Sequence, residues 1–177
     1  GAVGNPIVYL SEEKGMAHIT GAEQAKNWEK VDGDVYVARF PNKFFGDYNP
    51  FTTLVSGDWY IATIIAHTGD VFLNGKSMYE VTSLDEVKNP VVNKSSWDPD
   101  FTVYTWYTEQ DEKSDETVIY ANFQGRNPNE EDVEISVRRH CFYPEAEGIS
   151  YITLSGFTVS KAATQWAPPT AYQEGMI

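Results

Sequence analysis

Two tryptophans stand beside the residue types that bind sugars. Gly57-Asp58-Trp59 sets an indole next to a carboxylate where two strand-like segments meet. Trp166-Ala-Pro-Pro-Thr170 presents a second indole on a loop stiffened by proline. A flat ring packs against the apolar face of a pyranose, and a carboxylate accepts hydrogen bonds from its hydroxyls. Asp58, Trp59 and Trp166 are therefore the candidate substrate-binding residues. Each also has an ordinary use: Trp59 as a plug in a core or interface, Trp166 as packing for its neighbouring strands, Asp58 as a turn residue after glycine.

No other pattern of reactive residues emerges. A glycosidase needs two carboxyl groups across a sugar, about 5 Å apart for retention and roughly 6.5–9.5 Å for inversion. With 26 acidic residues a pair can always be found on paper, and none stands out. Asp47, Asp58 and Asp70 each follow a glycine, where loops present side chains, but Gly-Asp is equally a good turn. His18, His67 and His140 are scattered without local partners and read as surface or satisfied core residues. Asp98 and Asp100 have a spacing suited to calcium, but the rest of a calcium loop is missing. Cys141 is alone, so no internal disulfide forms, and it reads as a buried structural thiol. No catalytic residue, metal or cofactor is assigned.

The elements that would position the tryptophans are short strands. Ile7–Leu10 and Met16–Thr20 flank a charged turn, and Gly21 to Asn27 reads as a polar connector. Asp34–Phe40 alternates and stops at Pro41. Phe51–Val55, Tyr60–Ala66, Val103–Thr108, Thr117–Phe123 and Val133–Arg139 are strand-like. Asn74-Gly75 predicts a type I′ hairpin, and Ser83-Leu-Asp-Glu86 a capping box opening one short helix. Seven or eight short strands with so little helix predict an antiparallel β-sandwich over residues 25–144. The flanks differ. Residues 148–159 form two apolar-alternating strands hinged at Gly156, which have nowhere to bury their inner face unless a similar piece stacks on them. Residues 1–24 hold such a piece. The chain thus reads as all-β, a sandwich inserted between rungs of a truncated parallel β-helix, with rung fragments at 1–24 and 145–177.

Composition narrows the partners. Twenty-six acidic against 13 basic residues give a formal net charge of −13. Such a surface repels DNA, RNA, anionic lipid and polyanionic sugars and suits a neutral ligand. No apolar run is long enough to span a membrane. Five Trp, 11 Tyr and 9 Phe mostly fill a β-rich core, leaving a few to stack on sugar rings.

Several segments, in order, carry a family likeness. Phe44-Phe-Gly-Asp-Tyr-Asn-Pro50, Gly57-Asp-Trp59, Gly69-Asp-Val-Phe-Leu-Asn-Gly75 and Ile119-Tyr-Ala-Asn-Phe-Gln-Gly125 resemble glycoside hydrolase family 120. So do Asn127-Pro-Asn-Glu-Glu131, Arg138-Arg-His-Cys-Phe-Tyr-Pro144 and Ala162-Ala-Thr-Gln-Trp-Ala-Pro-Pro-Thr170. The likeness implies a retaining β-xylosidase built as a right-handed parallel β-helix interrupted by a β-sandwich. It also implies that the Asp nucleophile and Glu acid/base sit on later rungs, past Ile177, so that this stretch alone is catalytically silent. The match at Gly57-Asp58-Trp59 motivates the expectation that Trp59 contributes to a sugar subsite completed by a neighbouring subunit of a homo-oligomer.

The expected function is accordingly a non-catalytic portion of a hydrolase of neutral xylo-oligosaccharides, shaping a substrate subsite or a subunit contact. The remainder of the β-helix is its partner; nucleic acid and membrane are not. The alternative is a stand-alone carbohydrate-binding β-sandwich, against which the unfinished strands at 148–159 argue. A polysaccharide lyase shares the β-helix shape, but uronate substrates need cationic surroundings that a charge of −13 does not offer.

Overall fold

A computed structural model describes residues 1–60, 65–165, 167 and 175–177. Its centre is two β-sheets facing each other across one core. The first sheet has five strands: β4 (Glu29–Asp32), β5 (Val35–Pro41), β10 (Glu116–Asn122), β9 (Thr105–Asp111) and β8 (Tyr79–Glu80), in that spatial order. The second has four: β3 (Ala22–Gln24), β11 (Val133–Ser136), β6 (Val71–Leu73) and β7 (Lys76–Ser77). Pairing is antiparallel throughout except between β8 and β9. The chain among the described residues is all-β apart from short helical turns.

Alternation explains the core. Ala38 and Phe40 of β5, Ile119 and Ala121 of β10 and Trp106 of β9 point from one sheet; Val71 and Leu73 of β6 and Val133 and Ile135 of β11 point from the other. Loop aromatics close the ends. Phe51 meets Trp106 edge to face at 5.6 Å between ring centroids, and Trp28 meets Phe123 at 5.1 Å. Such pairs add about 0.5–1.5 kcal/mol each beyond the area they bury. Helix α1 (Leu84–Lys88) lies against β9 and β10, burying Val87, whose carbonyl accepts from Asn122 Nδ2 at 2.8 Å. Ser83 caps it as expected: its hydroxyl accepts from Glu86 N–H at 3.3 Å. Asn74 and Gly75 both take positive φ, 52° and 79°, as a type I′ turn requires.

Some expectations change. Ala22–Gln24, read as connector, is an edge strand paired with β11. Glu29–Asp32 is a strand with all four residues exposed, so no apolar alternation announces it. Phe51–Val55 is a set of turns with a single bridge, Leu54 to His67. Phe51 is drawn into the core instead, and Asn49 Oδ1 accepts from its N–H at 2.9 Å. Of the segment 60–66, positions 61–64 lie outside the described residues.

The flanks pair with each other. β1 (Ile7–Leu10) runs parallel to β12 (Ile152–Ser155), with Ile7 opposite Ile152. β2 (His18–Thr20) runs parallel to β13 (Thr158–Ser160), with His18 opposite Thr158. The turn in one flank spans residues 11–17 and in the other only 156–157, yet both strand pairs stay in step. Gly156, at φ 80°, makes the tighter turn; a Cβ there would stand 3.2 Å from Ser11 Cβ. Gly21 allows close backbone passage: its Cβ would fall 2.5 Å from Ala162 Cα. Ile7, Val8, Tyr9 and Leu10 are all exposed, as are Ile149, Tyr151 and Ile152.

Candidate functional site

A cleft of about 430 Å³ opens where the sandwich meets the C-terminal flank. Its polar lining is His67, Thr68, Asp70, Glu80, Ser136, Thr164 and Gln165; Trp59, Phe72, Met78 and Trp106 supply apolar wall. The size and the mostly apolar surface with a few convergent polar groups are those of a small-molecule site.

Trp59 reaches this wall by a specific backbone path. Gly57 takes φ 148°, and a Cβ there would collide with Trp59 Nε1 at 2.3 Å, so the indole folds back over a residue that must lack a side chain. The half-buried ring packs edge-on against Tyr60 at 5.6 Å. Gln165 then ties the loop to the flank. Its Oε1 accepts from Ser56 N–H and its Nε2 donates to Ser56 O, both at 2.8 Å. Tyr48 adds a second tie, its hydroxyl donating to Ala163 O at 2.6 Å and meeting Thr68 Oγ1 at 2.7 Å. Lys161 pairs with Glu134 across the same junction, and Arg138 pairs with Glu23 of β3 beside it.

The carboxyl groups that face the cleft are Asp70 and Glu80. Asp70 Oδ1 accepts from Val71 N–H at 2.8 Å, and Oδ2 accepts from Ser77 Oγ at 2.5 Å. Burial pushes the Asp70 carboxyl up to about 6; the Ser77 and Val71 hydrogen bonds oppose this, the Glu80 charge adds to it, and the Trp106 indole opposes it slightly. Glu80 is gripped by His67 at two points. The His67 backbone N–H donates to Oε2 at 2.9 Å, and ring Nδ1 lies 2.5 Å from Oε1. Both side chains are mostly buried, 19% exposed for His67 and 16% for Glu80.

The expected site residues thus separate. Trp59 lines the cleft; Asp58 is exposed and does not; Trp166 lies outside the described residues. His67, Asp70, Glu80 and Trp106 join Trp59 although sequence reasoning gave them no role. Gly69-Asp70 was visible only as a turn, and His67 and Glu80 meet across a separation of 13 residues that no local spacing reveals. Among the described residues no group of three or more His, Cys, Asp or Glu side chains could hold a metal ion. No helix among them is long and apolar enough to cross a membrane. The Cys141 thiol is pushed up by burial, away from reactivity.

Comparison with known proteins bears on this arrangement. The family model described as "Glycoside hydrolase 120, insertion domain" matches residues 25–135. A solved structure described as the complex of XylC with xylose is 45% identical, with a TM-score of 0.89. The match covers 97% of this chain and 28% of that one. No curated protein matches.

Proposed function

The chain belongs to glycoside hydrolase family 120, and from that membership we propose that it is the non-catalytic part of a retaining hydrolase of xylo-oligosaccharides. The observation that carries the reading is the 45% identity, over 97% of the chain, to a structure that holds xylose. In this reading residues 25–144 form a β-sandwich inserted between rung fragments 1–24 and 145–177 of a right-handed parallel β-helix. The in-step parallel pairing of β1 with β12 and β2 with β13 supports it, because adjacent coils of such a helix pair in that way. The exposed apolar residues of β1 and β12 supply a face on which a further coil can stack.

The chemistry belongs to the longer protein, of which this chain spans about 28% if it matches XylC in length. A carboxylate attacks the anomeric carbon of a terminal xylose while a carboxylic acid protonates the departing oxygen. Water then cleaves the covalent intermediate, with the second group acting as base. The present chain contributes the cleft. Trp59 offers a flat wall for a sugar ring, on a loop that turns at Gly57 and that Gln165 ties down through Ser56, and Asp58 and Trp166 are the further substrate-binding residues of this reading. A neighbouring subunit of a homo-oligomer completes the subsite. Neutral substrates suit a chain of net charge −13.

Kinetics of the full-length protein on xylobiose test the reading. Trp59→Ala is expected to raise KM about tenfold, the loss of one stacked ring of order 1–2 kcal/mol. Unchanged kinetics would remove Trp59 from the subsite, and a full-length protein that leaves xylobiose intact would end the hydrolase reading.

A further inference from the structure

The floor of the cleft holds a donor that no acceptor among the described residues meets in hydrogen-bond geometry. It is the indole N–H of Trp106, a residue only 1% exposed. The indole lies close enough to the Asp70 carboxyl to favour its charged form slightly, yet the N–H does not reach full hydrogen-bond geometry with it. Buried donors are nearly always paired, so a lone one beside a carboxyl marks a place for a further group. Donor and acceptor side by side match one O–H, which accepts from the indole and donates to the carboxyl.

Glu80 is the second feature. Its two contacts with His67 fix the carboxylate's plane and use one lone pair on each oxygen. The remaining lone pairs are free for donors that enter the cleft. The His67 contacts hold the group still, as a binding site requires.

We propose that Asp70, Glu80 and Trp106 form the hydroxyl-reading floor for one neutral pyranose ring whose face packs on Trp59. The inference rests on the sugar-binding reading of the cleft and assigns which groups select the sugar. Among the described residues the lining contains no Lys or Arg, so a uronate or phosphate finds no cationic partner among them. A volume of about 430 Å³ fits a sugar ring with room for a second.

The test uses the full-length protein and xylose as probe. Glu80→Gln and Asp70→Asn are each expected to raise the inhibition constant for xylose about tenfold, as loss of hydrogen bonds to a charged or buried acceptor does. Values within twofold of wild type for both would overturn the proposal. Should either variant fail to fold, the wild type decides: the His67 ring resonances are expected to shift saturably as xylose is added. Saturation by calorimetry with His67 unmoved would overturn it. So would tighter binding of glucuronate or of methylammonium than of xylose. Failure of the hydrolase reading looks different: His67 responds to xylose, yet the protein does not cleave an aryl xyloside.

Discussion

At the scale of single residues, the most consequential group is Asp70. Its folded-state pKa of about 6 stands above the 3.8 of a free side chain, because burial favours the neutral acid. The folded protein therefore holds a proton that the unfolded chain has lost between these values. Stability falls as pH rises from about 4 to 6, by about 3 kcal/mol at most. Asp70→Asn keeps an acceptor for Val71 N–H and cannot ionise, so chemical denaturation at pH 4, 5, 6 and 7 should show a flatter profile, with the variant ahead at pH 7. An unchanged pH slope would mean that Asp70 is ionised in the folded state. Little of this was legible in the sequence. Gly-Asp occurs at 33–34, 46–47, 57–58 and 69–70, and nothing local separates the last from the others. What distinguishes Asp70 is the approach of Ser77, Glu80 and Trp106, which only pairing of the strands brings about.

At the scale of elements, the legible parts were those whose signal is local. The Asn74-Gly75 turn, the Ser83 cap and the alternating β5 and β10 follow from backbone preference and burial period. The strands at Ala22–Gln24 and Glu29–Asp32 were not legible: the first is held by β11, distant in sequence, and the second pairs with adjacent β5 but has all four residues exposed, with no apolar alternation. Phe51 misled in the other direction: a hydrophobic start to a segment reads as a strand, whereas its ring is needed against Trp106 and Phe45. The junction between flank and sandwich depends on Gly21, whose carbonyl accepts from both Val137 and Arg138 N–H. Adding a Cβ there drives into Ala162 backbone, which cannot move aside as a side-chain tip would. Gly21→Ala is expected to cost about 1–3 kcal/mol of stability, read by denaturant unfolding. A loss below a few tenths would show that the two flank chains do not run so close.

At the scale of the whole molecule, two kinds of architecture meet. The sandwich buries its aromatics between two sheets, as an independent core does, while the flanks leave Val8, Tyr9 and Leu10 exposed on a parallel pair. The sequence showed that contrast through the unfinished apolar alternation at 148–159, and the family likeness gave it a meaning. It could not show the cleft, which is built from the sandwich and a flank together. The account makes this chain the support for a hydrolase that releases xylose with its configuration kept. The direct measurement is proton NMR of the full-length protein acting on xylobiose, read before the anomers equilibrate. The account predicts β-xylose as the first product. Initial α-xylose, or no release of xylose at all, would contradict it.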